Sequence, residues 1–133
     1  FTLLIPSTMV AEVVGLNGLS PVLATKPWAL GILAWRGLQV PVISFEALAD
    51  RPPARPKLRS RIVVCYPLPG RPARDFLGIL SSNDPQSRLV AETDLEETNE
   101  VPTHPCVAQF ARLKDTEIAL PDIEALKQML YAD

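Results

Sequence analysis

A mainly β fold built from short strands is predicted by three features of the sequence. Runs of Val, Ile and Leu are bounded by Pro, Gly, Asn and Asp at about the 8–12-residue spacing of strands in sandwiches and barrels. The 14 prolines are distributed along the whole chain, which excludes helix bundles and coiled coils. A segment at residues 39–48 is echoed at residues 117–126, 78 positions later (117 minus 39), which indicates two related halves.

The individual elements follow from this pattern. A short helix is expected at residues 7–13 and another at 45–49. Pro121 followed by an Asp122 N-cap predicts a C-terminal helix at residues 122–130. Strands, mostly antiparallel, are expected at residues 1–5, 30–35, 38–44, 61–66, 75–80, 87–93, 107–113 and 116–120. Loops are expected at residues 50–60, 68–74, 81–86 and 96–105.

The echo has the same layout in both copies. Each copy is a predicted hairpin with a two-residue turn, Arg36-Gly37 in the first and Lys114-Asp115 in the second. The second strand of each hairpin then runs into a short helix. Two explanations stay open, a duplicated unit or the chance recurrence of Glu-Ala-Leu, a combination that is common at helix starts.

Length and charge limit the possible functions. The 133 residues suit one domain or two very small lobes that share a core. The net charge of −2 argues against a nucleic-acid partner, and the absence of a clean run of about 20 apolar residues argues against direct membrane insertion. Two cysteines fit a reducing compartment, so we expect a cytoplasmic protein. Phe1 is not an initiator Met, so we expect further residues upstream.

Charge is segregated along the chain. Residues 51–74 contain seven basic residues and no acid, whereas residues 84–100 contain six acids against Arg88. The two segments are either solvated faces or contacts for a charge-matched protein partner.

The residues that catalysis or metal binding would need are missing from the sequence. The single histidine, His104, lies in a proline-flanked loop two residues before Cys106, and no further His or Cys pair stands at metal-ligand spacing. The sequence also has no phosphate-binding glycine pattern and no Gly-x-Ser-x-Gly. We therefore expect neither an enzyme nor a bound metal or other cofactor.

One polar residue in an apolar setting is a candidate for binding. Arg36, flanked by Trp35 and Gly37, occupies the predicted tip of the most hydrophobic hairpin. Arg and Trp are enriched among interface hot spots, and a glycine lets a partner backbone approach closely. The alternative is that Arg36 only solvates a turn while Trp35 fills the core.

The order of three segments adds a resemblance. Residues 4–13 (LIPSTMVAEV), 27–45 (PWALGILAWRGLQVPVISF) and 115–126 resemble the CheW family of chemotaxis coupling proteins. The family pattern is a strand ending in Pro, a short Val-x-Glu helix, Gly-x-x-Asn-Leu-Arg-Gly-x-x-x-Pro-Val-x-Asp-Leu, and a final strand that runs into a helix. The resemblance implies two small, intertwined five-stranded SH3-like barrels in a single domain over residues 1–133, whose first strand would lie upstream of residue 1.

The resemblance also implies a function and a binding site. Family members are non-catalytic adaptors that bridge the cytoplasmic tips of chemoreceptors to the regulatory domain of a histidine kinase. By resemblance, Arg36 matches the motif Arg and Glu12 its acidic partner, brought beside Arg36 by the short helix at residues 7–13. Val10, Gly31 and Gly37 match positions near the binding surfaces, and Trp35 shapes the same patch.

Three positions depart from the family pattern. Ala34-Trp35 replaces Asn-Leu before the Arg, Ser44 replaces Asp, and Gln109 replaces Gly. These departures favour a divergent or auxiliary coupling protein, in a system for surface or pilus-based motility rather than flagella.

Two other functions remain open. The chain could be the CheW-like regulatory domain of a larger histidine kinase, which the full open reading frame would decide. It could also be a small barrel that binds oligonucleotides, although the aromatic residues are few and the pI of about 5.4 is acidic. A salt-dependent gel shift distinguishes that function.

The residue content leads to a first prediction. Purified protein will contain no stoichiometric metal, will not hydrolyse ATP and will not accept phosphate from a phosphorylated kinase, because nothing in the sequence cradles a phosphate. Metal analysis and a radiolabel transfer assay check this. Transfer of label to His104 at a useful rate would refute it.

Overall fold

A computed structural model describes residues 2–22, 26–49, 51–52, 56–82, 85–87 and 89–131, with no side-chain description for residue 92. The chain divides into two compact units, a central unit at Ser7–Gln86 and a terminal unit made of Phe1–Pro6 and Ser87–Asp133. The strands are, in chain order, β1 (Thr2–Leu3), β2 (Val10–Val14), β3 (Leu19–Pro21), β4 (Ala29–Trp35), β5 (Leu38–Ile43), β6 (Arg61–Cys65), β7 (Leu77–Ser81), β8 (Leu95–Glu97), β9 (Val107–Leu113) and β10 (Thr116–Pro121). The helices are α1 (Phe45–Leu48), α2 (Ile123–Tyr131) and two 3₁₀ turns at Ser7–Met9 and Glu92–Asp94.

The central unit is one six-stranded sheet in the order β2-β6-β7-β5-β4-β3. All neighbouring strands are antiparallel except β5 and β7, which are parallel. Along β4 buried residues alternate with more exposed ones, whereas four of the five residues in each of β6 and β7 are buried, so these two strands are covered on both faces. The buried cluster consists of Leu33, Trp35, Val40, Val42, Ile62, Val64 and Leu80.

The terminal unit is a four-stranded sheet in the order β1-β10-β9-β8. Its first strand, β1, pairs in parallel with β10, and the Leu4 N–H continues that ladder by donating to the Ala119 carbonyl at 3.0 Å. The chain therefore contributes one strand to the terminal sheet before it builds the central sheet. The buried apolar side chains here are Cys106, Val107, Phe110, Ala111, Ile118, Ala119 and Leu126.

The predicted echo corresponds to repeated local structure. The hairpins β4-β5 and β9-β10 both turn through two residues, and a positive φ occurs at Arg36 (48°) and at Lys114 (55°), which are 78 positions apart like the two sequence segments. Each hairpin is followed directly by a helix, α1 or α2.

The same repeat governs how both helices begin. Ser44 accepts the Ala47 N–H on its side-chain oxygen at 3.2 Å, and Asp122 accepts the Ala125 N–H in the same way at 3.0 Å. Ser and Asp are both strong N-cap residues, because a short side-chain oxygen satisfies a free N–H of the first turn. Two copies of hairpin, cap and helix support the duplicated-unit explanation over a chance recurrence.

Two predicted elements were wrong. The helix expected at residues 7–13 is only a 3₁₀ turn at Ser7–Met9, after which the chain forms β2, because the β-branched residues there pair with β6. The strand expected at residues 87–93 is not formed by the described residues of that range, from which residue 88 is excluded. A strand occurs instead at β8, which overlaps the start of the loop predicted at residues 96–105, and β3 was not predicted at all.

The predicted division into five-stranded barrels also differs from the structure. The strands of the described ranges form sheets of six and four, and no backbone ladder among those residues closes either sheet. The central sheet has six strands because the unpredicted β3 pairs with β4 at its edge. Two of the strand pairs, β1-β10 and β5-β7, are parallel.

The close approach of β3 to β4 generates a prediction about two glycines. A Cβ added at Gly31 would lie 2.5 Å from the Ser20 carbonyl oxygen, whereas one added at Gly15 would meet no atom within 4 Å. Gly31→Ala will lower the free energy of unfolding by roughly 1–3 kcal/mol, and Gly15→Ala will change it by less than about 0.5 kcal/mol. Urea denaturation followed by tryptophan fluorescence measures both, and equal effects would contradict the packing.

Candidate protein-binding site

The β4-β5 turn places Arg36 and Gly37 at the tip of the central hairpin. Both residues have positive φ, 48° and 74°, the combination that a type I′ hairpin turn requires. A Cβ at Gly37 would meet nothing within 4 Å, so glycine is suited to this position by its backbone conformation and not by crowding. The turn is exposed and leaves space above Gly37.

Glu12 on β2 forms hydrogen bonds with two residues at this tip. Its Oε1 atom accepts hydrogen bonds from the Trp35 indole Nε1 at 3.0 Å and from Arg36 Nη2 at 2.8 Å. Three strands separate β2 from β4 in the sheet order, which in a flat sheet is a distance of about 19 Å at ~4.8 Å per strand. The central sheet must therefore curl strongly for these bonds to form.

A row of contacting aromatic side chains, tilted relative to one another, continues from Arg36 across the site. The guanidinium carbon of Arg36 lies 4.7 Å from the centre of the Trp35 ring. Trp35 packs against Phe76 with ring centres 4.9 Å apart, and Phe76 packs against Tyr66 at 5.8 Å. Trp35 is 8% exposed and Tyr66 is 50% exposed, so the row leads from the core to the surface.

The ion pair between Arg36 and Glu12 is largely solvated. The two side chains are 66% and 40% exposed, respectively. Exposed pairs of this kind contribute only about 0.2–1 kcal/mol to folding, because water and salt screen the charges. The pair therefore orients the guanidinium without determining the fold.

The structure brings together four of the six residues that the sequence nominated for binding: Glu12, Trp35, Arg36 and Gly37. Val10 begins β2 and is half-buried opposite Cys65. Gly31 is buried against β3, which gives it a packing role. A binding role for Val10 or Gly31 stays a prediction.

Sequence reasoning missed Phe76 and Tyr66 as part of the aromatic row. Cys65 on β6 pairs with Leu77 on β7, so the residues that follow and precede these two strands meet at the same end of the ladder. The contact between Tyr66 and Phe76 could have been predicted only from the antiparallel register of β6 and β7, which the sequence of each strand alone does not reveal.

Both cysteines are buried, and the single histidine contacts one of them. Burial raises the pKa of the Cys65 thiol to about 12, which keeps it protonated and unreactive at neutral pH. His104 Nδ1 lies 3.0 Å from Cys106 Sγ and accepts the Cys106 backbone N–H at 3.2 Å, so this pair stabilises a turn before β9. Within the described ranges, no three His, Cys, Asp or Glu side chains are grouped to hold a metal ion. No helix formed by those residues is long and apolar enough to cross a membrane.

Comparison with known proteins identifies the family. The model of the CheW-like domain matches residues 2–130, nearly the whole chain. The chain belongs to the CheW family. A solved structure, that of the scaffolding protein TtCheW from Thermoanaerobacter tengcongensis, has the same fold, with a TM-score of 0.66 and 21% identity over 86% of this chain and 73% of that chain. A comparison with curated proteins finds no significant match.

Membership of the CheW family confirms two predictions. The resemblance drawn from residues 4–13, 27–45 and 115–126 is correct, and the chain is not an enzyme, because CheW proteins are non-catalytic scaffolds. One departure from the family pattern is also explained. Ser44 in place of Asp keeps the N-cap of α1, since both side chains accept the same N–H.

The shared carboxylate leads to a stability prediction. Glu12→Ala removes the acceptor of both Trp35 and Arg36 and will lower the free energy of unfolding by about 1–2 kcal/mol, whereas Arg36→Ala will lower it by less than about 1 kcal/mol. The Glu12→Ala/Arg36→Ala cycle will show a coupling of only about 0.2–1 kcal/mol. Chemical denaturation measures all three variants. A coupling near 3 kcal/mol would instead indicate a buried pair.

Proposed function

We propose that this protein is a chemotaxis coupling adaptor that joins the cytoplasmic tip of a chemoreceptor to the regulatory domain of a histidine kinase, in the cytoplasm and without catalysis. Its CheW-like domain supports the proposal. The observation that carries the binding site is the exposed Arg36 guanidinium, held over the Trp35 ring by the Glu12 carboxylate.

The geometry explains how such a surface could bind. Glu12 is bonded to one terminal nitrogen of Arg36, Nη2, so the remaining N–H donors of the guanidinium can meet a partner carboxylate or carbonyl. Trp35, which is almost completely buried, supports the guanidinium from below, and Tyr66 at the other end of the aromatic row exposes aromatic surface of the kind found at hot spots. Gly37 lets a partner backbone approach the turn without meeting a side chain.

Two finer features belong to the same proposal. The Glu12 bonds from β2 to β4 favour a barrel-like lobe closed by side chains, in line with the small barrels expected from the family. Ala34-Trp35 in place of Asn-Leu alters the binding strand immediately before Arg36, which favours an auxiliary member of a two-component system for surface or pilus-based motility.

Substitution of Arg36 tests the binding site. Arg36→Ala will weaken binding to the cognate kinase regulatory domain or receptor tip at least ~30-fold, because a desolvated Arg anchor contributes roughly 2 kcal/mol or more. Its melting temperature will remain within a few degrees of the parent value, since the pair is exposed. Calorimetric titration and thermal melting measure the two effects. Arg74→Ala, at another exposed arginine of the central unit, is the matched control.

The possible outcomes separate the alternatives. Unchanged affinity of the Arg36→Ala protein for both partners would remove Arg36 from the binding site. Loss of folding would show that the pair with Glu12 is structural. Weaker binding by Arg36→Ala with normal binding by Arg74→Ala supports the proposed surface.

A further inference from the structure

A second surface of the central unit, distinct from the Arg36 tip, is the turn that precedes β6. Its residues 57–60 are held by two hydrogen bonds: the Lys57 N–H donates to Ser60 Oγ at 2.8 Å, and the Ser60 N–H donates to the Lys57 carbonyl at 3.0 Å. Ser60 is fully buried, whereas Leu58 at the tip is 97% exposed. The turn therefore presents an apolar side chain on a preformed backbone, which reduces the entropy cost of binding.

Positive charge surrounds this exposed leucine. Lys57 and Arg59 are exposed on either side of it, and among the described residues neither is paired with a carboxylate. Arg61 donates to the Ser60 carbonyl at 2.8 Å and so stays at the base of the turn. An aliphatic tip with cationic neighbours fits an acidic surface that has an apolar side chain of its own.

The terminal unit carries such a surface. The edge strand β8 exposes Glu96 and Glu97, and Asp94 precedes them. Val101, four residues after the strand, is 76% exposed. This acidic segment, residues 94–101, therefore combines the opposite charge with an exposed aliphatic side chain.

We propose that the turn at residues 57–60 of one copy docks on the acidic segment, residues 94–101, of a second copy of this chain. The net charge of −2 and the acidic segment itself would repel a polyanion such as nucleic acid or an anionic membrane, whereas a second copy supplies a matching surface. The contact uses different surfaces on the two copies, so each copy can bind two neighbours. The docking is weak, because so small a contact lies below the roughly 1,200 Å² of a stable interface.

Sedimentation velocity of the 133-residue chain over a concentration series tests this docking. We expect association that rises with concentration, continues beyond the dimer, and falls at least ~10-fold in apparent affinity between roughly 0.02 M and 0.5 M salt, because the charges are exposed. Lys57→Glu/Arg59→Glu will weaken association at least ~10-fold, and so will Glu96→Lys/Glu97→Lys. An equimolar mixture of the two variants will regain association.

Two controls keep the test specific to the turn. Lys26→Glu/Arg74→Glu changes the net charge equally but alters other exposed cations of the central unit, and we expect it to associate like the parent protein. Leu58→Ser removes only the exposed apolar side chain at the tip, so we expect it to fold and to weaken association at least ~3-fold. This variant tests the same turn if a charge-reversal variant does not fold.

Each alternative outcome contradicts the proposal. Sedimentation as a monomer at all concentrations would overturn it, as would association that resists salt or falls equally in the Lys26→Glu/Arg74→Glu control. Binding of the parent protein to phosphatidylglycerol vesicles, lost in Lys57→Glu/Arg59→Glu, in the absence of self-association would assign the turn to a membrane surface instead.

Discussion

Curvature of the central sheet is the constraint on which the rest of the structure depends. The sheet must coil until its strands share a single apolar cluster and the Glu12 carboxylate reaches Trp35. Such coiling requires glycine, which has no side chain, where neighbouring strands approach closely. Gly31 meets the Ser20 carbonyl of β3, and a Cβ at Gly78 would lie 3.0 Å from the side chains of both Val42 and Ile62. The glycines allow the curvature, the buried aliphatic residues favour it, and the contact between Glu12 and the Arg36 turn forms where the curvature brings two distant strands together.

Repetition of one local unit explains how a short chain builds two sheets. The Ser44 N–H donates to the Trp28 carbonyl at 2.9 Å, and the Asp122 N–H donates to the Cys106 carbonyl at 2.7 Å. In each hairpin, the residue after the second strand bonds to the residue before the first strand. This bond closes the open end of the hairpin before its helix begins. The side chains at these matched positions differ, whereas the backbone bonds are the same. The repeat therefore lies in the backbone pattern, and the two units are free to diverge in surface charge and in binding.

Much of the fold could be predicted from the sequence, and the failures have physical causes. The hairpins, their two-residue turns and the capped C-terminal helix were predicted because each has a local signal of alternation, turn residues or N-cap. The Val-rich residues 10–14 were assigned in part to a helix because local spacing does not reveal pairing with β6, which for Val10 and Cys65 joins residues 55 positions apart (65 minus 10). For the site, the sequence identified Arg36 and Glu12 by resemblance, while Phe76 and Tyr66 join through a register that no local pattern shows.

Exposure of the ion pair decides what Arg36 contributes. With its side chain 66% exposed, Arg36 adds little to folding, yet it is restrained from below by the Trp35 ring and from one side by Glu12. A free arginine loses roughly 0.5–1.5 kcal/mol of side-chain entropy when an interface immobilises it. An arginine already restrained in the free protein loses less, and its remaining donors retain a fixed direction. The ion pair adds little to folding, and in the proposed function it would reduce the entropic penalty of association, as expected of a preorganised binding residue.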